Sequence, residues 1–119
     1  MIARMWRGQA KAANADSYER FVTTKVFAAL PAIAGHRGAY LLKRPVATEE
    51  GNEVEFIAVT LWESLAAIRD FAGEAIDRAV VEPEARAILS SFDDFVRHFE
   101  LAHAAPCDNP AASAAPARP

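Results

Sequence analysis

The chain has 119 residues, 52% hydrophobic and 24% charged, an ordinary globular composition that excludes extensive disorder and predicts one domain able to bury its own core. Its net charge of −3 comes from 13 basic and 16 acidic residues, and the scattered bases exclude the cationic footprint of a nucleic-acid binder. No run approaches the ~18 apolar residues of a membrane span, and Arg4 and Arg7 interrupt the apolar start "MIARMWRGQ", so no signal peptide is read there and a cytoplasmic protein is expected.

Residues 2 to 8, "IARMWRG", alternate as a strand and stop at Gly8. In "NADSYERFVTTKVFAALPAIAG", Tyr18, Phe21, Val22, Lys25, Val26, Ala29, Leu30 and Ile33 recur at three-and-four spacing, the stripe of a helix on a core. Asp16 with Glu19 reads as its capping box, Pro31 as a bend or early end, and Gly35 as its stop. "HRGAYLLKR" (36–44) predicts a second strand, "EEGN" a turn, and "EVEFIAVTLWE" (53–63) a third strand, together a hairpin. Ser64 is a good N-cap for a second helix with Leu65, Ile68 and Phe71 facing the core and Gly73 ending it. Short helical pieces follow around "VEPEARAIL", and "DFVRHFEL" (94–101) predicts a fourth strand.

From Ala102 onward the chain is Ala- and Pro-rich, holding four of its seven prolines, which predicts a disordered tail (102–119) behind a folded domain of residues 1–101. Cys107, the only cysteine, falls in that tail and cannot form an intramolecular disulfide. The element order β-α-β-β-α-β predicts an α+β, ferredoxin-like domain: a four-stranded antiparallel sheet with both helices on one face. Both faces of the third strand are largely apolar: Ile57, Val59 and Leu61 on one, Val54, Phe56, Ala58, Thr60 and Trp62 on the other. Helices can cover only one of them. The expected cover for the other is a second copy of the sheet, giving a homodimer.

The segments "MIARMWRG", "GHRGAYLLKR", "EFIAVTLWESLAAIRDFAGE", "AVVEPEA" and "VRHFEL" resemble, in order and spacing, a branch of the antibiotic biosynthesis monooxygenase-like proteins of the dimeric α+β barrel superfamily, over about residues 1 to 101. This chain departs from that pattern at His36, where the branch more often has Asn, before Pro83, where it is usually aromatic, and at Phe99, usually Tyr. The resemblance implies a dimer with a small-molecule pocket inside each barrel. It also implies relatives that oxidise phenols or anthrones to quinones without metal or flavin, and others that degrade haem using a histidine on the helix after the third strand. "SLAAIRDFAG" has no histidine at all.

Oxygenation without a cofactor asks for a pocket that excludes water, a way to favour the substrate anion and donors for reduced oxygen. Its partners would be a small aromatic substrate and O2. Candidates are sought on the sheet face turned away from the helices: with Ile57, Val59 and Leu61 assigned to the helix side, Phe56, Thr60 and Trp62 line the interior, joined by Arg4 and Trp6 from the first strand. Trp62 and Trp6 suit core packing or a stacked ligand alike. Arg4 suits a phenolate or carboxylate, or an ion pair with Glu63 or Glu100. His98 is the only histidine in a predicted strand and could act as acid or base, or serve structurally. Tyr40 and Thr60 could hydrogen-bond a ligand, though both are ordinary strand residues. No metal-site spacing, phosphate loop or nucleophile elbow is present, so neither metal nor organic cofactor is expected. A non-oxidative ligand-binding dimer, or an isomerase or lyase helper, is the alternative.

Overall fold

The first strand runs further than its alternating pattern suggests. In the computed structural model, which describes residues 1–105, β1 (Ile2–Lys11) passes through Gly8 and continues to Lys11, because Glu53 to Trp62 of the neighbouring strand pair with it along its whole length. Gly8 is required for close packing instead of a stop. A Cβ there would lie 2.6 Å from the Trp6 ring.

Because β1 runs to Lys11, α1 (Ala12–Phe21) starts immediately, with Lys11 as an N-cap that makes no side-chain bond. Asp16 therefore lies inside the helix, and the expected Asp16–Glu19 capping box does not form. The helical run continues as a π-helical turn (Val22–Val26) and a 3-10 segment (Phe27–Ala32) that contains Pro31. Thr23 and Thr24 donate their hydroxyls back to Glu19 O and Arg20 O, and such back-bonding bends a helix.

Two long strands follow, β2 (His36–Thr48) and β3 (Gly51–Trp62), joined by a tight turn at Glu49 and Glu50. Then Ser64 caps α2 (Leu65–Ala72) by accepting from Ala67 N at 3.2 Å, and Gly73 (φ 84°) ends it, both as the sequence predicts. An irregular connector over residues 73–82 leads to α3 (Pro83–Ile88). The predicted fourth strand (94–101) forms only as β5 (Arg97–Glu100), and an unexpected two-residue β4 (Ser91–Phe92) precedes it, both antiparallel to β1. The sheet order is β2-β3-β1 with β4 and β5 along the free edge of β1, and every pairing is antiparallel. This is the α+β, ferredoxin-like fold read from the sequence.

The face assignment is reversed. Phe56 meets Tyr18 of α1 edge-on at 4.8 Å between ring centres, and Trp62 stacks on Phe71 of α2 at 5.3 Å. Val54, Phe56, Ala58, Thr60 and Trp62 therefore face the helices, together with Arg4, Trp6, Gly8 and Ala10 across the register. Phe56, Trp62, Ile68 and Leu30 are the largest enclosed side chains, each contributing about 1.5–3 kcal/mol by leaving water. Ile57, Val59 and Leu61 lie on the open face beside Tyr40, Leu42 and Phe99. The physical reason lies in the parity of the strand. Glu53 and Glu55 share that face with Ile57, and the acids are met there by Gln9, Arg7 and Arg44, so the helix layer covers the face without charge on β3. Glu63, just past the end of this strand, pairs with Arg37.

The tail expected to be disordered, and Cys107 within it, lie mostly outside the described residues. Residues 102–105 carry no regular structure, and His103 is exposed.

Candidate functional site

Between the helices and the sheet lies a cavity of about 90 Å³, several times the ~10–15 Å³ that one water needs. The sheet supplies Arg4, Trp6, Ala58 and Thr60 to its wall. Tyr18, Phe21, Val22, Val26, Phe27 and Leu30 come from the helical run after β1, Phe71 from α2, Val80, Val81 and Glu82 from the connector, and Ala85 and Val96 close the rest. The wall is aromatic and aliphatic except at Arg4, Thr60, Glu82 and the Tyr18 hydroxyl. Burial raises the Tyr18 pKa well above the usual tyrosine value, so this phenol stays protonated as a donor.

Arg4 is the cationic group of the wall, and only 5% of its surface is exposed. Its Nη1 donates to Ile76 O at 2.5 Å and lies 2.9 Å from His98 Nε2, and its Nη2 donates to Arg78 O at 2.9 Å. The guanidinium also sits 5.8 Å from the centre of the Phe71 ring, within cation–π range. Burial lowers the Arg4 pKa and Asp77 opposes the shift, yet an arginine stays charged at any physiological pH. Among the described residues no partner takes its Nε–H or the second Nη2–H, so two of its five donors remain for a ligand.

His98, opposite Arg4 in the β1–β5 register, stands behind it and outside the cavity wall. Burial first, and the charge of Arg4 second, hold its pKa below the usual histidine value, with Asp77 opposing. Asp77 Oδ1 lies 3.3 Å from His98 Nδ1.

The sequence-predicted residues thus separate into groups. Arg4, Trp6 and Thr60 border the cavity, with His98 bonded to Arg4. Phe56 and Trp62 are wholly buried in the core beside it, where the Trp62 indole donates to Thr60 Oγ1 at 2.8 Å and its ring meets His36 edge-on at 5.3 Å. Tyr40 is on the other side of the sheet, 58% exposed. Neither Glu63 nor Glu100 partners Arg4; backbone carbonyls and His98 do. Tyr18, Phe71, Asp77 and Glu82 went unselected in the sequence. Tyr18 and Phe71 were legible only as members of core stripes, and Asp77 and Glu82 sit where no periodicity exists. Among the described residues, no three His, Cys, Asp or Glu side chains gather into a metal site.

Fold and cavity together define an α+β ferredoxin-like domain with a partly open, largely aromatic-walled space next to a buried cation. No family model matches the chain, and no curated protein matches it. Among solved structures it is similar to the crystal structure of a proposed antibiotic biosynthesis monooxygenase from Bacillus cereus, with a TM-score of 0.63 over 92% of this chain and 98% of that one, at 12% sequence identity. At that identity the likeness is one of fold. No helix among the described residues is long and apolar enough to cross a membrane.

Proposed function

We propose that this protein is a cofactor-independent monooxygenase-like enzyme that oxidises a small aromatic or phenolic substrate in the cavity between helices and sheet. The observation that carries the reading is the buried Arg4, which borders a largely aromatic and aliphatic space and has two N–H groups without a partner among the described residues. A cation there lowers the pKa of a bound phenol, and the resulting electron-rich anion is the species that can reduce O2. The overall change converts a ring CH2 or electron-rich CH to C=O and O2 to one carbonyl oxygen and one water. The substrate supplies all four electrons, so no external reductant enters. The protein's part is to exclude water, orient the ring between Trp6, Tyr18 and Phe71, and stabilise negative charge as it moves from substrate to oxygen.

The same reading includes a homodimer. The open sheet face shows Tyr40, Leu42 and Phe99 at 58%, 54% and 48% exposure beside Ile57, Val59 and Leu61, and an apolar patch of that kind marks an association surface. A second copy of the same sheet matches it in shape and chemistry, placing each cavity on the outer side of the paired sheets.

Oxygen consumption by the purified metal-free protein against a panel of anthrones and hydroquinones tests the activity. Turnover that falls at least tenfold in Arg4→Met is expected; no turnover across a broad panel overturns the oxidative reading. A non-oxidative ligand-binding dimer is the second reading, supported by the bond between Arg4 and His98, which leaves His98 unavailable as a base on the cavity wall. It predicts ligand-induced thermal stabilisation without oxygen uptake.

A further inference from the structure

We propose that Asp77 is a positioning residue for the cavity cation: it holds His98 in the tautomer protonated at Nδ1, so that Nε2 accepts from Arg4 and the guanidinium keeps its two remaining N–H groups toward the cavity. The proposal rests on the reading of Arg4 as the anion-anchoring group.

Tautomer and geometry are linked by the donor inventory. A guanidinium carries five N–H donors and no acceptor, so the 2.9 Å approach of Arg4 Nη1 to His98 Nε2 is attractive only if Nε2 presents its lone pair. The neutral ring then bears its proton on Nδ1, the nitrogen that faces Asp77 Oδ1 at 3.3 Å. A carboxylate accepts from that N–H and opposes rotation of the ring, as the orienting partners of metal-bound and catalytic imidazoles do.

The connector that carries Asp77 is fixed by the same cluster. Ile76 O and Arg78 O, on either side of Asp77, both accept from Arg4, and Asp77 O accepts from Val96 N at 2.8 Å. Three consecutive connector residues therefore surround the Arg4–His98 pair: two accept from Arg4 through backbone oxygens, and the third brings its carboxylate within 3.3 Å of His98. This gives residues 76–78 a use that no helix or strand pattern announces. The side chain of Asp77 is 77% exposed while that of His98 is 11% exposed, so Asp77 can be replaced with little disturbance of the core, and solvent screening keeps its effect modest.

The test combines nitrogen NMR of the histidine rings in the ligand-free full chain with calorimetric titration of benzoate, a one-ring anion. In the wild type His98 is expected as the Nδ1–H tautomer. Asp77→Ala should give a mixture of tautomers and weaken benzoate binding roughly three- to tenfold, the scale of one hydrogen bond, and Asp77→Asn, which keeps an acceptor, should restore both to near wild type. A wild-type ring protonated at Nε2, or an Asp77→Ala protein with unchanged tautomer and benzoate affinity, overturns the proposal. Absence of benzoate binding to the wild type sinks the anion-anchoring role of Arg4, while the tautomer still decides what Asp77 does.

Discussion

Trp6 lies across Gly8, two residues away on the same face of β1, so closely that a Cβ at residue 8 would fall 2.6 Å from the far edge of the indole. The indole cannot simply swing aside, since its N–H donates to Asp93 O at 2.7 Å and Phe92 packs 6.4 Å away. Gly8→Ala is therefore expected to destabilise the fold by about 1–3 kcal/mol, the usual cost of overpacking. Urea unfolding checks this, and Trp6→Phe in the same background should recover part of the loss because the smaller ring vacates the contact.

Leu42 lies midway along the edge strand β2 on the open sheet face, opposite Ile57, and more than half of it is exposed. If two sheets meet there, Leu42→Asp buries a charge against an apolar partner, which costs more than the interface returns. Light scattering coupled to gel filtration should show the wild type as a dimer and Leu42→Asp as a monomer. A wild type that stays monomeric at tens of micromolar removes the dimer from the proposed function.

The local features of this chain were legible and the relational ones were not. Ser64 and Gly73 bracket α2 because capping depends on a handful of neighbouring residues, and the element order fixed the fold for similar reasons. Which face of β3 meets the helices depended on reading one strand as a whole. Ile57, Val59 and Leu61 look as apolar as Phe56, Ala58 and Trp62, and only the parity of Glu53 and Glu55 distinguishes them. Arg4 was visible as a charge in an apolar strand, but its partners, Ile76 O, Arg78 O and His98, lie more than seventy residues away. Backbone carbonyls carry no side-chain signal, so no pattern in residues 73–82 could name them.

His98 sets a pH window for stability. Burial and Arg4 hold its native pKa below the 6.5 of the unfolded chain, so between those two values the unfolded state binds more protons and stability rises with pH. Acidification from pH 7.5 to 5.5 should therefore lower the urea midpoint, before the hydrogen-bonded carboxylates Glu53 and Glu55, themselves held below 4.5, begin to protonate. His98→Gln keeps an acceptor for Arg4 without a titrating ring and should flatten this dependence. An equal slope in the variant would assign the effect elsewhere.

Thr60 joins the core to the cavity, because its hydroxyl accepts from the buried Trp62 indole at 2.8 Å while the residue also borders the cavity. Thr60→Val keeps the shape of the side chain and removes the acceptor, leaving an indole N–H with no partner in a fully enclosed site. The cost should be about 1–3 kcal/mol, that of an unsatisfied buried donor. Replacing both partners should cost less than the sum of the single changes, since Trp62→Phe in the Thr60→Val background no longer carries the orphaned N–H. A double-mutant cycle by urea unfolding measures this coupling. Additive losses would mean that the hydroxyl matters to the cavity wall and not to the tryptophan.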